Sequence, residues 1–366
     1  VATPGPTPLA PRPSGRRWKF GLGLGSLVIG AVVGSSLLGN VPIPLVEGLE
    51  IFLHQLSGGA LFPQVCAGSR SYAVHCAALT YIVWQLYLPE VLLALIVGAA
   101  LGLSGGALQG VFRNPLADPF LLGISSGGAL GAAILYVYRI QEARADLFLP
   151  LFAFVGAVAT GLAILGVARG RYSSVETLLL TGVAIANLLS ALLSLVLLYN
   201  PTGGEQVTFW LLGGLGLADW QVVGIAFGAV LAFGTVLVLY SRELNLMQLG
   251  ADVAQSAGVD AARVRLVVIL LASLTTAVAV AFTGIIGFVG LVSPHIVRRV
   301  AGTDYRIVLP GAAAVGALFL LTARDVDYLA FPSSVLPIGI FTAFAGVPFF
   351  LYLLFRQRRS SLMGGS

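Results

Sequence analysis

The chain has 366 residues, 58% of them hydrophobic and only 10% charged, with 46 glycines and a formal net charge of +5. Soluble domains carry about 25% charged residues, so the composition excludes an ordinary soluble fold and reads as a membrane protein built of closely packed helices. Lys19 is the only lysine, which excludes the Walker A site, whose lysine must follow a glycine-rich turn to reach the phosphates.

Residues 1–15 are proline-rich and polar and read as a disordered tail. Arg16, Arg17 and Lys19 precede the first apolar run, 18–40. That run is long for the core of a secretory signal and no clear small-x-small cleavage site follows, so it reads as a first membrane helix with its N-terminus inside. Segment 41–83 comes next. Leu45, Val46, Leu49, Phe52, Leu53 and Leu56 fall on one helical face there, with Glu47, Glu50, His54 and Gln55 elsewhere. This predicts an amphipathic helix, on the membrane surface or packed on the bundle.

Further spans are expected near 84–108, 119–138, 147–168, 176–198, 220–240, 265–283, 290–300, 309–323 and 337–355. A span needs roughly 20 apolar residues, so the short 290–300 segment reads as a half-helix buried among its neighbours. Residues 359–366 read as a disordered C-terminal tail.

Ten spans with an inside N-terminus place both termini in the cytoplasm and 16 of the 20 Lys and Arg on the inner side. This is the bias of cytoplasmic loops. Nine of the fifteen acids fall outside. Segment 41–83 becomes a periplasmic loop holding the only two cysteines, Cys66 and Cys76. On an oxidising face they point to a disulfide.

Three stretches do not read as simple spans. Phe112–Gly123 is polar and carries two prolines, so its free backbone groups cannot face lipid. Segment 241–266 is too polar to cross and reads as one or two short helices that dock on a soluble partner. In it Leu246, Leu249, Val253 and Ala257 share a face, and Gly250, Ala254 and Gly258 are expected to form a small-residue row allowing close approach. In 282–299, Gly284, Gly287 and Gly290 followed by Pro294 predict a broken helix.

Catalytic patterns fail. Gly123-Ile124-Ser125-Ser126-Gly127 has the form of a nucleophile elbow, but it opens an apolar helix with no strand before it. Its small residues read as helix-packing positions. His54, His75 and His295 are too scattered for a metal site.

The Asn114-Pro115-Leu116-Ala117-Asp118-Pro119 run resembles a motif of the permeases of binding-protein-dependent ABC importers for iron chelates and vitamin B12. So do the Leu122-Gly123 loop, the Gly287-Phe288-Val289-Gly290-Leu291-Val292-Ser293-Pro294-His295 run with Arg298, and Leu336-Pro337-Ile338-Gly339. The resemblance covers roughly 84–356, within a permease domain of 16–358. It implies an all-α polytopic fold of ten helices with half-helices and an inverted repeat, a type II ABC importer permease. It also implies a homodimer in the bacterial inner membrane, with two cytoplasmic ATPase subunits that hold ATP and Mg. A periplasmic substrate-binding protein docks outside. No cofactor, metal or nucleic acid is expected on this chain.

By position, the resemblance makes 246–260 the ATPase-coupling helices, with Leu246, Leu249, Gly250, Asp252, Ala254 and Gly258. Asn114, Pro115 and Leu116 lie near the inner gate with Ser173, Ser174 and Val175. Where family members carry docking arginines this chain has Tyr87, Glu90 and Tyr328, beside Arg324, Asp325 and Asp327. Docking here is expected to use different chemistry. Heme and ferric siderophores are the first expected substrates and vitamin B12 the alternative. An ion-coupled secondary transporter is a remoster alternative, because the helix interiors are nearly free of ionisable residues.

Overall fold

A computed structural model describes residues 14–41, 43–61, 70–137, 145–167, 175–331 and 336–363, and among these all regular structure is helical. Helix α1 (Ser14–Ser35) is followed by α2 (Leu45–Leu56) and α3 (Arg70–Tyr81). A π-helical turn, Ile82–Tyr87, carries α3 into α4 (Leu88–Phe112). A 3₁₀ turn, Pro119–Leu122, precedes α5 (Ile124–Val137), α6 (Ala145–Val167), α7 (Val175–Tyr199) and α8 (Pro201–Leu211). Then come α9 (Trp220–Leu239), α10 (Ser241–Gln248), α11 (Ala251–Ser256), α12 (Ala261–Thr283), α13 (Val289–Ala301), α14 (Tyr305–Ala330) and α15 (Ile338–Met363).

Each of the ten expected spans coincides with a helix. Among the described residues six stretches are long and apolar enough to cross a bilayer: Cys76–Phe112, Leu147–Val167, Glu176–Tyr199, Trp220–Leu239, Ala261–Thr283 and Tyr305–Ala330. The apolar parts of α1, α5 and α15 are shorter, and α13 has only 13 residues. By length and apolarity alone, six of the ten expected spans qualify among the described residues. The half-helix expected at 290–300 is present as α13, with Val289 to Pro294 buried.

Helix α4 is the central pillar. It is apolar all round and buried on every side, as a helix enclosed by others must be. It packs against α9, α12, α13 and α14. Its glycines set how close these neighbours come. A Cβ on Gly98 would lie 2.3 Å from the Gly316 carbonyl oxygen, one on Gly102 2.1 Å from that of Ala312, and one on Gly105 2.0 Å from that of Gly290. Side chains are thus excluded from the α4–α14 and α4–α13 seams, and the backbones meet directly. Helices α5 and α6 repeat the arrangement. A Cβ on Gly127 would meet Gly156 O at 2.4 Å and Thr160 Oγ1 at 2.0 Å. The glycine–serine run at 123–127 is accordingly a packing element opening α5.

In α2 the buried face is Gly48, Ile51 and Phe52, whereas Leu45, Val46 and Leu56 are well exposed. The expected apolar face is thus not the one packed on the protein. Ile51 joins Leu79 and Val83 in a small core, and Phe52 lies edge-on to Trp84, with centroids 6.3 Å apart. The helix packs on the bundle with one edge and leaves its leucines bare.

Two helices were not foreseen. Helix α3 has little hydrophobic periodicity, and α8 is an 11-residue helix opened by Pro201. Cys76 is disulfide-bonded; Cys66 lies outside the described residues.

Gly102→Leu is expected to lower the thermal midpoint of detergent-solubilised protein by several degrees, since forcing side-chain volume into a closed seam costs about 1–3 kcal/mol or more. Gly228→Ala, where a Cβ meets nothing within 4 Å, is expected to be neutral or slightly stabilising. Fluorescence-detected thermal melts check both. Intact mass after alkylation should show no modified cysteine until a reductant is added.

Candidate functional site

Arg113, Arg298 and Arg306 lie at one end of the bundle, where α4 ends and α14 begins; Glu90, Asp325 and Asp327 lie at the other, around Arg324. Both ends hold residues singled out from the sequence.

At the arginine-rich end, α4 stops at Arg113, which adopts a left-handed conformation with φ 50°. The turn that follows is closed by its own side chains. Asn114 Oδ1 accepts from Leu116 N–H at 2.9 Å and Asp118 Oδ1 from Phe120 N–H at 2.9 Å. This gives the polar, twice-proline segment the backbone partners it lacks in lipid. Pro115 is exposed and Asn114 and Leu116 half-buried. Ser173 and Ser174 lie outside the described residues, while Val175 opens α7, which packs on the 3₁₀ turn.

The docking segment forms two short helices, α10 and α11. Leu244, Met247 and Ala254 are buried beneath them, and Leu246 packs on the same core. Leu249 and Val253 are 68% and 45% exposed, and Asp252 is exposed as well. The expected small-residue row does not exist. Gly250 breaks the segment with φ 124° and Gly258 closes it with φ 80°. Their freedom serves the turns, because an L side chain rarely adopts such angles, and Ala254 faces the chain rather than a partner.

Two amides fix this platform to the bundle, and a third, on α4, ties the neighbouring loop and α13 together. Gln248 Nε2 donates to Gly110 O at 2.7 Å. Asn245 Nδ2 donates to Asp304 Oδ1 at 2.9 Å, and Asn245 Oδ1 accepts from Tyr305 N–H at 2.9 Å. Gln109 Nε2 donates to Ala117 O at 3.2 Å and Gly290 O at 3.3 Å, and its Oε1 accepts from Arg298 Nη2. The Gly290 bond has a clear origin. Pro294 inside α13 has no N–H, so the carbonyl four residues earlier loses its helical partner. Gln109, from α4, supplies one. Sequence reasoning missed Gln109, Asn245 and Gln248 and placed Arg298 only in a motif, without its partner; Pro294 marked the orphaned carbonyl without saying what would reach it.

The expected break lies at 284–287, between α12 and α13. Gly284 has φ 70°, and a Cβ there would fall 2.0 Å from Trp210 O. Gly214 N–H donates to Thr283 O at 2.8 Å, and Gly339 N–H donates to Gly213 O at 3.5 Å. A Cβ on Gly339 would meet Leu212 O at 2.2 Å. The Leu336–Gly339 motif therefore marks where α15 starts against the α8–α9 link and the break.

At the acidic end, Tyr87, Glu90, Arg324, Asp325 and Tyr328 form one cluster. Arg324 is fully buried. Its Nη2 donates to Glu90 Oε2 at 3.0 Å, and its Nη1 to Asp325 Oδ1 at 3.1 Å and Ser35 O at 2.8 Å. Its guanidinium lies 4.4 Å from the Tyr328 ring centroid and 5.8 Å from that of Tyr87. Tyr328 OH donates to Glu90 Oε2 at 2.9 Å, and Val41 N–H to Tyr87 OH at 3.0 Å. The cluster ties the end of α1 to α4 and α14. As outward contacts, Arg324, Tyr87 and Asp327 have almost no surface to offer; Glu90, Asp325 and Tyr328 keep partial exposure. Asp327 Oδ1 accepts from Leu336 N–H at 3.4 Å.

No group of three or more metal-ligating side chains occurs among the described residues. His295 packs edge-on against Phe349, with centroids 5.7 Å apart.

The profile of the FecCD transport family matches residues 27–356. The hemin transport system permease protein HmuU of Yersinia pestis is 40% identical over 285 residues, covering 77% of this chain and 85% of that protein. The cobalamin import system permease protein BtuC of Halobacterium salinarum is 36% identical over 335 residues, 88% of each chain. A solved chain described as an inward-facing conformation of a metal-chelate type ABC transporter superposes with a TM-score of 0.78 at 28% identity, over 92% of this chain and 99% of that one.

Breaking one partner out of a buried ion cluster strands the others, typically at about 3–5 kcal/mol. Arg324→Leu is therefore expected to lower the thermal midpoint markedly. The double variant Arg324→Leu/Glu90→Gln should recover part of the loss, because it removes one stranded charge. Thermal melts of the two side by side check the order.

Proposed function

The chain belongs to the FecCD transport family, and from that premise we propose that it lines the pathway of an ATP-driven importer for an iron chelate. It is a multi-pass membrane permease of an ABC importer of the heme, chelate or B12 class, and not an enzyme. Heme or a ferric siderophore is the proposed cargo and cobalamin the alternative, since relatives of similar identity carry hemin and cobalamin names.

The observation that carries the ATP-driven reading is the α10–α11 platform. It presents Leu249 and Val253 to solvent on a base of buried Leu244, Met247 and Ala254. An exposed apolar ridge on a rigid, hydrogen-bonded base suits a docked soluble partner. That partner is proposed to be an ATPase subunit, which holds ATP and Mg and hydrolyses the nucleotide. The arginine-rich end is then cytoplasmic, with both chain termini, and the membrane is the bacterial inner membrane. A substrate-binding protein would dock at the acidic end through Glu90, Asp325 and Tyr328. Two copies would face each other, a reading supported by the bare apolar side chains of α7 and α15, among them Leu180, Leu188, Phe344 and Phe355. Asn114, Pro115, Leu116, Ser173, Ser174 and Val175 are proposed to form the inner gate.

The test is uptake into proteoliposomes holding the chain, its cognate ATPase and its binding protein, with hemin, a ferric siderophore and cobalamin offered in parallel. Uptake of an iron chelate that needs both ATP and the ATPase is expected; cobalamin uptake alone would select the alternative. Uptake driven by an ion gradient without ATPase would sink the reading. Leu249→Asp is expected to abolish ATPase copurification while leaving membrane insertion intact.

A further inference from the structure

A polar pocket of about 580 Å³ opens beside the platform at the arginine-rich end. One wall is Arg113 and Pro115 of the loop after α4; the other is Asn245 and Gln248 of α10 with Leu249, which caps it. Arg298 and Gln109 form its floor. Neither Arg113 nor Arg298 has an ion pair among the described residues. Arg298 is held by Gln109 Oε1 and faces the Tyr305 side chain, but its Nη1 is buried without a hydrogen-bond partner, and a buried donor left unmet is costly, more so on a charged group. The acid in the wall, Asp304, is already engaged. Its Oδ1 accepts from Asn245 Nδ2 at 2.9 Å and Arg306 N–H at 3.1 Å, as the cap of α14. The pocket therefore offers two cationic groups and an unused guanidinium donor.

We infer that this pocket receives a carboxylate side chain from the ATPase docked on α10–α11, held by Arg298 and Arg113. The inference rests on the docking reading above and adds its polar half. Leu249 lines the pocket and is also the most exposed apolar side chain of the platform, so a partner seated on the ridge covers the mouth. Guanidinium–carboxylate pairs are the strong, geometrically specific contacts that fix register at such a surface. The contact also has a path onward. Arg298 donates to Gln109 Oε1, and Gln109 Nε2 holds Ala117 O and Gly290 O. The carboxylate thus bears on the loop after α4 and on α13 through one amide.

The experiment measures binding of the cognate ATPase to the full chain in nanodiscs, at low and moderate salt. Arg113→Glu and Arg298→Gln are each expected to weaken binding about tenfold and to flatten its salt dependence, as expected when a close charge pair is lost. Replacing one Asp or Glu at the ATPase docking surface with Arg should restore binding to Arg113→Glu. Arg113 is exposed in a turn, so its variant tests the idea even if Arg298→Gln folds poorly. Unchanged binding in both variants while Leu249→Asp abolishes it overturns the pocket assignment and leaves the docking reading standing. Unchanged binding in Leu249→Asp overturns both. If the Arg113→Glu defect vanishes in nanodiscs free of anionic lipid, the occupant is a lipid phosphate and the proposal fails.

Discussion

The direct backbone contact of α4 with α13 and α14 sets the positions of nearly everything else. Gly98 and Gly102 face Ala312 and Gly316, and Gly105 faces Gly290, at separations no side chain would permit. In a bilayer, helices gain nothing from leaving water, so close van der Waals approach must hold them together. With α4 locked between its neighbours, its two ends become fixed points. One presents Glu90 to Arg324, and the other presents Gln109 and the Gly110 carbonyl to α13 and α10.

A second constraint follows from the first. The break at 284–287 and the proline inside α13 expose backbone groups that lipid cannot satisfy. They are met from distant parts of the chain. Gly214 donates to Thr283 O, and Gln109 takes over the Gly290 carbonyl that Pro294 frees. The irregular segments are therefore tied into the bundle at defined points. The Gln109 tie joins the loop after α4, α13 and Arg298 through one amide.

Charge is handled differently at the two ends. At the acidic end, Arg324 is consumed inside the chain by Glu90, Asp325, the Ser35 carbonyl and two tyrosine rings. Such a cluster serves geometry more than stability, because the desolvation of buried ions offsets much of their attraction. At the arginine-rich end, Arg113 and Arg298 form no ion pair among the described residues and border an open pocket. The first end uses its cation to close the fold; at the second, Arg298 is met by the neutral Gln109 amide instead of a carboxylate.

The helical class, the positions of the long helices, the half-helix at 289–301 and the polar platform at 241–256 were legible from hydropathy and from the placement of glycine and proline. These are local properties, written in consecutive residues. The family was legible from motifs for the same reason. Helices α3 and α8 were not, being short or weakly patterned. The role of Gly250 and Gly258 was misread, because spacing every four residues looks like a helix face whether or not the helix is continuous, and only the backbone angles show two turns instead. Tyr87, Arg324 and Asp327 looked like outward docking residues, yet all three are buried, because a sequence does not say which way a helix end is turned. Gln109 and Arg298, 189 residues apart, meet only because α4 and α13 pack against one another. Partners joined across such separations are decided by tertiary packing, and that is where the pocket beside the platform comes from.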